Sequence, residues 1–210
     1  MFALSPDAPP ALPFWIDGRA VLSLGERLVD VQNPRQEPVL RRVPVCDAAV
    51  AQRAVAAACA AQPAWAALDP ALRQGVLAAL ATALAGYAPH FARLLGEDAG
   101  LTATAAAEDV ARAEQALLAL PAPAPLSPVC ALLPAADDPA PFSDAVRRLA
   151  MALNAGSAVL LLSSPCVAAP LLALAELAAR SGVPAGVFNL VHGDAMSARA
   201  LQAAIGDSAG

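Results

Sequence analysis

From Val129 onward, short unbroken apolar runs alternate with stretches of helical period. The runs cover residues 129–133, 158–162 and 187–191. Residues 144–154, 169–180 and about 196–205 read as helices, with apolar positions three and four apart. Gly156-Ser157, Ser163-Ser164-Pro165 and His192-Gly193-Asp194 punctuate the boundaries. Strands apolar throughout their length are buried on both faces. The pattern therefore predicts βαβαβα with a parallel sheet.

The first half is patterned differently. Residues 14–16, 28–32 and 39–45 read as short strands, separated by the turn formers Asp17-Gly18 and Asn33-Pro34. Asp47 caps a helix with Val50, Val55 and Ala58 on one face. Asp69-Pro70 starts a second, striped by Leu72, Val76, Leu77, Leu80 and Leu84. A third covers about 89–97 and ends near Gly100; Thr102 or Thr104 caps a fourth, running through Val110, Ala113 and Leu117 to Leu120. These stripes are read as core packing. The expected organisation is a Pro-rich arm (1–13), strands and a helical layer (14–120), a Pro-rich linker (121–128) and an α/β segment (129–210). Together these form one compact domain.

Composition narrows the function. Of 210 residues 58% are hydrophobic and 15% charged, which excludes a disordered chain. All thirteen basic residues are arginines. Without lysine there is no Schiff-base chemistry and no P-loop. A net charge of −5 offers no cationic surface to nucleic acid. Cys46, Cys59, Cys130 and Cys166 show no metal spacing and are expected to be buried free thiols in a reducing cytoplasm. Residues 1–10 lack the features of a signal peptide. The uncharged stretch between Arg148 and Glu176 is broken by Gly156 and Pro165, and that from 116 to 136 by five prolines. Neither is expected to span a membrane.

Several phrases in this order resemble the N-terminal half of the NAD(P)-dependent aldehyde dehydrogenase family. Phe14-Trp15-Ile16-Asp17-Gly18 is similar to its "(F/Y)-I-(N/D)-G", and Asn33-Pro34 with Val43-Pro44-Val45 to its "N-P…V-P". Ala54-Val55-Ala56-Ala57-Ala58 with Pro63-Ala64-Trp65 resembles "A-V-x-A-A…F-x-x-W". Leu153-Asn154-Ala155-Gly156-Ser157-Ala158-Val159 resembles "L-A-A-G-N-(A/T)-V". The stretch from Gly182 to Val191, followed by His192-Gly193-Asp194, is similar to "G-x-P-x-G-V-(F/V)-N-V-V" with "T-G-D/G". The resemblance implies a Rossmann-like three-layer αβα fold, its sheet incomplete and mainly parallel, preceded by a helical layer and short N-terminal strands. NAD or NADP would lie at the carboxyl ends of the strands.

Departures from the family pattern weaken that expectation. The family's "K-P-S-E", whose Lys and Glu hold the adenosine ribose, stands here as Leu162-Ser163-Ser164-Pro165. Leu and Pro supply neither side-chain hydrogen bond. Ser164, Ser163 and Gly193 remain as cofactor-binding candidates, for weak binding of NAD or NADP if any. The "P-W-N-F-P" that gives an oxyanion-hole Asn is replaced over 134–142, where Asp137-Asp138 would repel an oxyanion. The short passage from Leu120 to Val129 leaves no room for the family's oligomerisation hairpin. The sequence reaches Gly210 ahead of the Glu of "E-L-G-G" and the Cys of "G-Q-x-C".

Local substitutes for that chemistry are sparse. Cys166 lies in a loop before a helix, His192 follows a strand, and His90 has no partner at ligand spacing; each is read as structural. Asp137-Asp138 is read as solvated, so neither a catalytic residue nor a metal site is assigned. The expectation is an aldehyde-dehydrogenase-like pseudoenzyme or interaction subunit, reaching a protein partner or a second copy through an incomplete sheet edge. The alternatives are the cofactor half of a split dehydrogenase and a weak nucleotide-binding module.

Overall fold

The computed structural model describes residues 9–22, 27–33, 35, 39–122, 126–133 and 142–208. The parallel trio forms as the apolar runs predict: β5 (Val129–Leu132), β6 (Ala158–Ser163) and β7 (Phe188–His192). Every residue of β6 and β7 is buried, because helices cover both faces. On one face α5 (Phe142–Asn154) and α6 (Ala168–Arg180) pack with α2 (Pro70–Gly86), α3 (Ala88–Ala99) and α4 (Ala103–Leu118). On the other, α1 (Ala48–Ala66) and α7 (Ala195–Ser208) lie side by side over Ala158, Leu160 and Leu162.

The helices begin where local chemistry says they should. Asp47, Asp69 and Thr102 each accept a main-chain N–H of the first turn, at 2.8, 2.8 and 3.2 Å. Gly100 ends α3 in the left-handed conformation (φ 67°).

One edge of the trio is closed by residues far away in sequence. Asp17 (φ 56°) and Gly18 (φ 69°) make a two-residue turn between β1 (Phe14–Ile16) and β2 (Arg19–Val21). Two positive φ values in succession are what a tight hairpin with right-handed strand twist needs, and Asp-Gly supplies them. β1 then pairs antiparallel with β7 through Trp15 and Leu190, giving the order β2-β1-β7-β6-β5. Asn189 in β7 anchors the turn, accepting the Asp17 N–H at 3.0 Å and donating to the Gly186 carbonyl at 2.6 Å. Leu28–Val31 (β3) and Arg41–Pro44 (β4) form a separate two-stranded ribbon.

Two residues fix the layers against each other. Arg73 is buried and donates to the carbonyls of Asn154, Ala66 and Leu68 at 3.1, 3.1 and 2.6 Å, joining the α1–α2 junction to the end of α5. Gly186 (φ 79°) lets the loop before β7 pass under α1; a Cβ there would sit 2.7 Å from the Ala57 carbonyl oxygen. Cys46 alone of the four thiols is buried; Cys59 is exposed, and Cys130 and Cys166 are half-buried. Three of the four thus depart from expectation, because they fall on outer helix positions, an edge strand and a loop. Asp137-Asp138, most of the Pro-rich arm and part of the 121–128 linker lie outside the described residues.

Candidate functional site

Open α/β sheets take ligands at the carboxyl ends of their strands, and Ser163, Ser164, His192 and Gly193 meet there. Ser163 and His192 are register partners at the ends of β6 and β7. Their side chains join, with Ser163 Oγ 2.6 Å from His192 Nδ1, while His192 Nε2 lies 3.0 Å from the Pro13 carbonyl. A carbonyl can only accept, so Nε2 carries the proton and the Ser163 hydroxyl donates to Nδ1. The imidazole is wholly buried and stacks on Phe14, with ring centroids 5.7 Å apart. Burial pushes its pKa down to about 4, against a smaller upward pull from the bond to Pro13. It is a neutral structural group at pH 7.

Gly193 continues the same construction. Its N–H reaches the Ser163 carbonyl at 3.4 Å, and the Ser197 hydroxyl, held 2.7 Å from the Cys46 carbonyl, fills the space a Cβ would need. Ser164 is half-buried, its Oγ 3.1 Å from Cys166 Sγ in the 3-10 turn Pro165–Val167. The three serine and glycine candidates therefore sit together, but only Ser164 keeps a side chain clear of the His192 cluster. Cys46 lies behind them, its thiol raised to about 12 by burial first and by Asp47 second. His90 stands apart on α3 beside Arg93. Among the described residues no group of three His, Cys, Asp or Glu could hold a metal.

Three carboxylates occupy the helix starts that follow the strands. Asp194 accepts the N–H groups of Met196 and Ser197 at the start of α7, at 2.9 and 3.2 Å. Asp98, fully buried, accepts the Ala169 N–H of α6 at 3.0 Å and is held by Arg41. Asp144 lies in the first turn of α5. Helix N-termini attract anions, and those of α6 and α7 are already answered by Asp98 and Asp194, whereas Asp144 pairs with Arg147. Burial raises the Asp98 pKa to about 6, opposed by the Ala169 N–H and by Arg41. The Asp194 cap is readable from its place just before a helix. Asp98 reaches α6 from 71 residues away, and no local signal announces it.

These residues fit a dinucleotide poorly. Leu162, 4% exposed, turns into the apolar layer beneath α1 and α7, and Pro165 opens the 3-10 turn. The crevice between the ends of β5 and β6, walled by Leu132, Leu162, Ser163 and Arg148, encloses about 20 Å³.

The fold and the order of its parts agree with comparisons to known proteins. The model of the aldehyde dehydrogenase family matches residues 21–121 and 139–205, and the chain belongs to that family. Lactaldehyde dehydrogenase of Escherichia coli (strain K12) is 29% identical, over 88% of this chain and 43% of its own length. The acylating, mitochondrial methylmalonate-semialdehyde/malonate-semialdehyde dehydrogenase of Rattus norvegicus is 30% identical, over 91% of this chain and 39% of its own. The solved structure of PnpE in complex with nicotinamide adenine dinucleotide superposes with a TM-score of 0.79 at 25% identity, covering 90% of this chain and 43% of that one. The chain thus spans about two-fifths of the length of the curated relatives it matches. No single described helix is long and apolar enough to cross a membrane.

Proposed function

We propose that this chain is a non-catalytic member of the aldehyde dehydrogenase family, a pseudoenzyme that keeps the nucleotide-binding fold and works through protein contact. The observation that carries this reading is Leu162. At the strand end where the family resemblance places a cofactor-holding lysine, an apolar side chain is buried instead. Losing that charged contact together with the carboxylate replaced by Pro165 costs on the order of 2–4 kcal/mol, about 30- to 1,000-fold in affinity. Carboxylates at the helix starts and the inward-turned Ser163 support the same reading. NAD or NADP is bound weakly or not at all, and the setting is the cytoplasm. The test is direct: the purified chain, given NAD or NADP and a panel of simple aldehydes, should form no reduced cofactor. Aldehyde-dependent absorbance at 340 nm would overturn the reading.

Among the described residues no strand pairs with the outer side of β5, which favours a second reading, in which this is the cofactor-side half of a split oxidoreductase. Co-purification from the native host separates the two. The split reading requires a partner that carries a nucleophilic cysteine and restores aldehyde-dependent reduction.

A further inference from the structure

A separate cleft lies at the amino end of β7, at the other end of the strand from His192 and Gly193. Three segments meet there: α1, the turn between β1 and β2, and the loop before β7. Close contacts hold them in place. Asn189 fixes the turn by accepting the Asp17 N–H at 3.0 Å. Gly18 sets the turn against Ala185, where an added Cβ would lie 2.9 Å from the Ala185 Cβ, and Gly186 holds the loop under α1. The cleft is therefore preformed. It holds about 450 Å³, against about 20 Å³ at the strand ends.

Its lining has an apolar part and a charged part. Ala57, Ala60 and Ala61 of α1, with Ala185, offer methyl groups and no side-chain hydrogen bond. Arg53 shares their face of the helix, and Arg19 and Asp17 approach from the hairpin. Arg53 makes no ion pair among the described residues, although acidic residues outnumber arginines by eighteen to thirteen. Arg19 meets Asp17 at 3.4 Å with both side chains exposed, and an ion pair so open to water is weak. Two guanidinium groups against one carboxylate leave the cleft with one positive charge.

We propose that this cleft binds a small organic monoanion, a carboxylate carried on an apolar body. The Arg53 guanidinium takes the carboxylate through paired N–H donors, and Arg19 turns from Asp17 to share it. The apolar body lies against the alanine methyl groups, which lose water without losing a hydrogen bond. Asp17 repels a second negative charge, so phosphate esters and dicarboxylates are disfavoured.

The probe is 2-naphthoate, measured by equilibrium dialysis against the intact chain. Saturable binding at about 1 mM or tighter is expected. The neutral 2-naphthamide, the doubly charged 2-naphthyl phosphate and the Arg53→Gln variant should each bind about tenfold more weakly. Arg53 is exposed, so glutamine there leaves the core untouched. Should that variant nevertheless lose its fold, Ala60→Leu, which fills the cleft from an exposed position, is expected to weaken binding likewise. Arg199→Gln removes an exposed arginine of α7 outside the cleft and should leave binding unchanged. No binding up to about 10 mM overturns the proposal. So does equal binding of the amide or by folded Arg53→Gln and Ala60→Leu, tighter binding of the phosphate, or an equal loss in Arg199→Gln.

Discussion

Ser163 Oγ and His192 Nδ1 lie 2.6 Å apart, joining the ends of two adjacent parallel strands inside the protein. In an open sheet these ends usually face a ligand. Here the hydroxyl is used internally, and with Phe14, Pro13 and the Ser197–Cys46 bond it closes the strand ends from behind.

Ser163→Ala leaves His192 Nδ1 buried without a donor. An unsatisfied buried acceptor costs about 1–3 kcal/mol. Urea unfolding should show a loss of that size, with the m-value unchanged.

Protonation of two buried groups should oppose each other between pH 4 and 6. His192 titrates at about 4 when folded against 6.5 as a free side chain, so the unfolded chain binds the proton first. Its contribution is complete above pH 6.5 and is lost as pH falls toward 4, up to about 3 kcal/mol. Asp98 titrates at about 6 when folded against 3.8 free, so the folded chain binds the proton first and stability rises over nearly the same window. Thermal melts of the native sequence should therefore fall less from pH 6 to 4 than His192 alone would dictate. In Asp98→Asn, which removes the second titration, Tm should fall steadily over that range.

Gly186→Ala combines a left-handed φ with a Cβ 2.7 Å from the Ala57 carbonyl and 2.9 Å from the Ala61 side chain. Left-handed strain of about 1–2 kcal/mol plus overpacking of about 1–3 predicts a loss near 3 kcal/mol. Gly75→Ala, where nothing lies within 4 Å, is the matched control, expected to leave stability unchanged or slightly raised. Chemical denaturation of the pair checks this.

Much of this architecture is legible in the sequence because its signals are local. β6 reads from five apolar residues between Gly156-Ser157 and Ser163-Ser164, and α1 and α2 from Asp47 and Asp69 as caps. What stays hidden depends on distant partners. Asp17-Gly18 announces a turn, yet nothing local says that Arg19–Val21 is its second strand or that Trp15 pairs with Leu190. At the site, Ser163, Ser164 and Gly193 are brought to one place as expected from their positions after strands. The direction of the Ser163 hydroxyl depends on His192, 29 residues on, and the Asp98 cap on a helix 71 residues away. Arg73 is tied to three carbonyls, and that of Asn154 lies 81 residues away, beyond any local signal.

The central claim is that apolar packing and internal hydrogen bonds have replaced cofactor binding at the strand ends. Isothermal titration of the intact chain with NAD and with NADP tests it most directly. The account predicts no saturable heat up to about 1 mM of either; a dissociation constant of about 100 µM or tighter for either would contradict it.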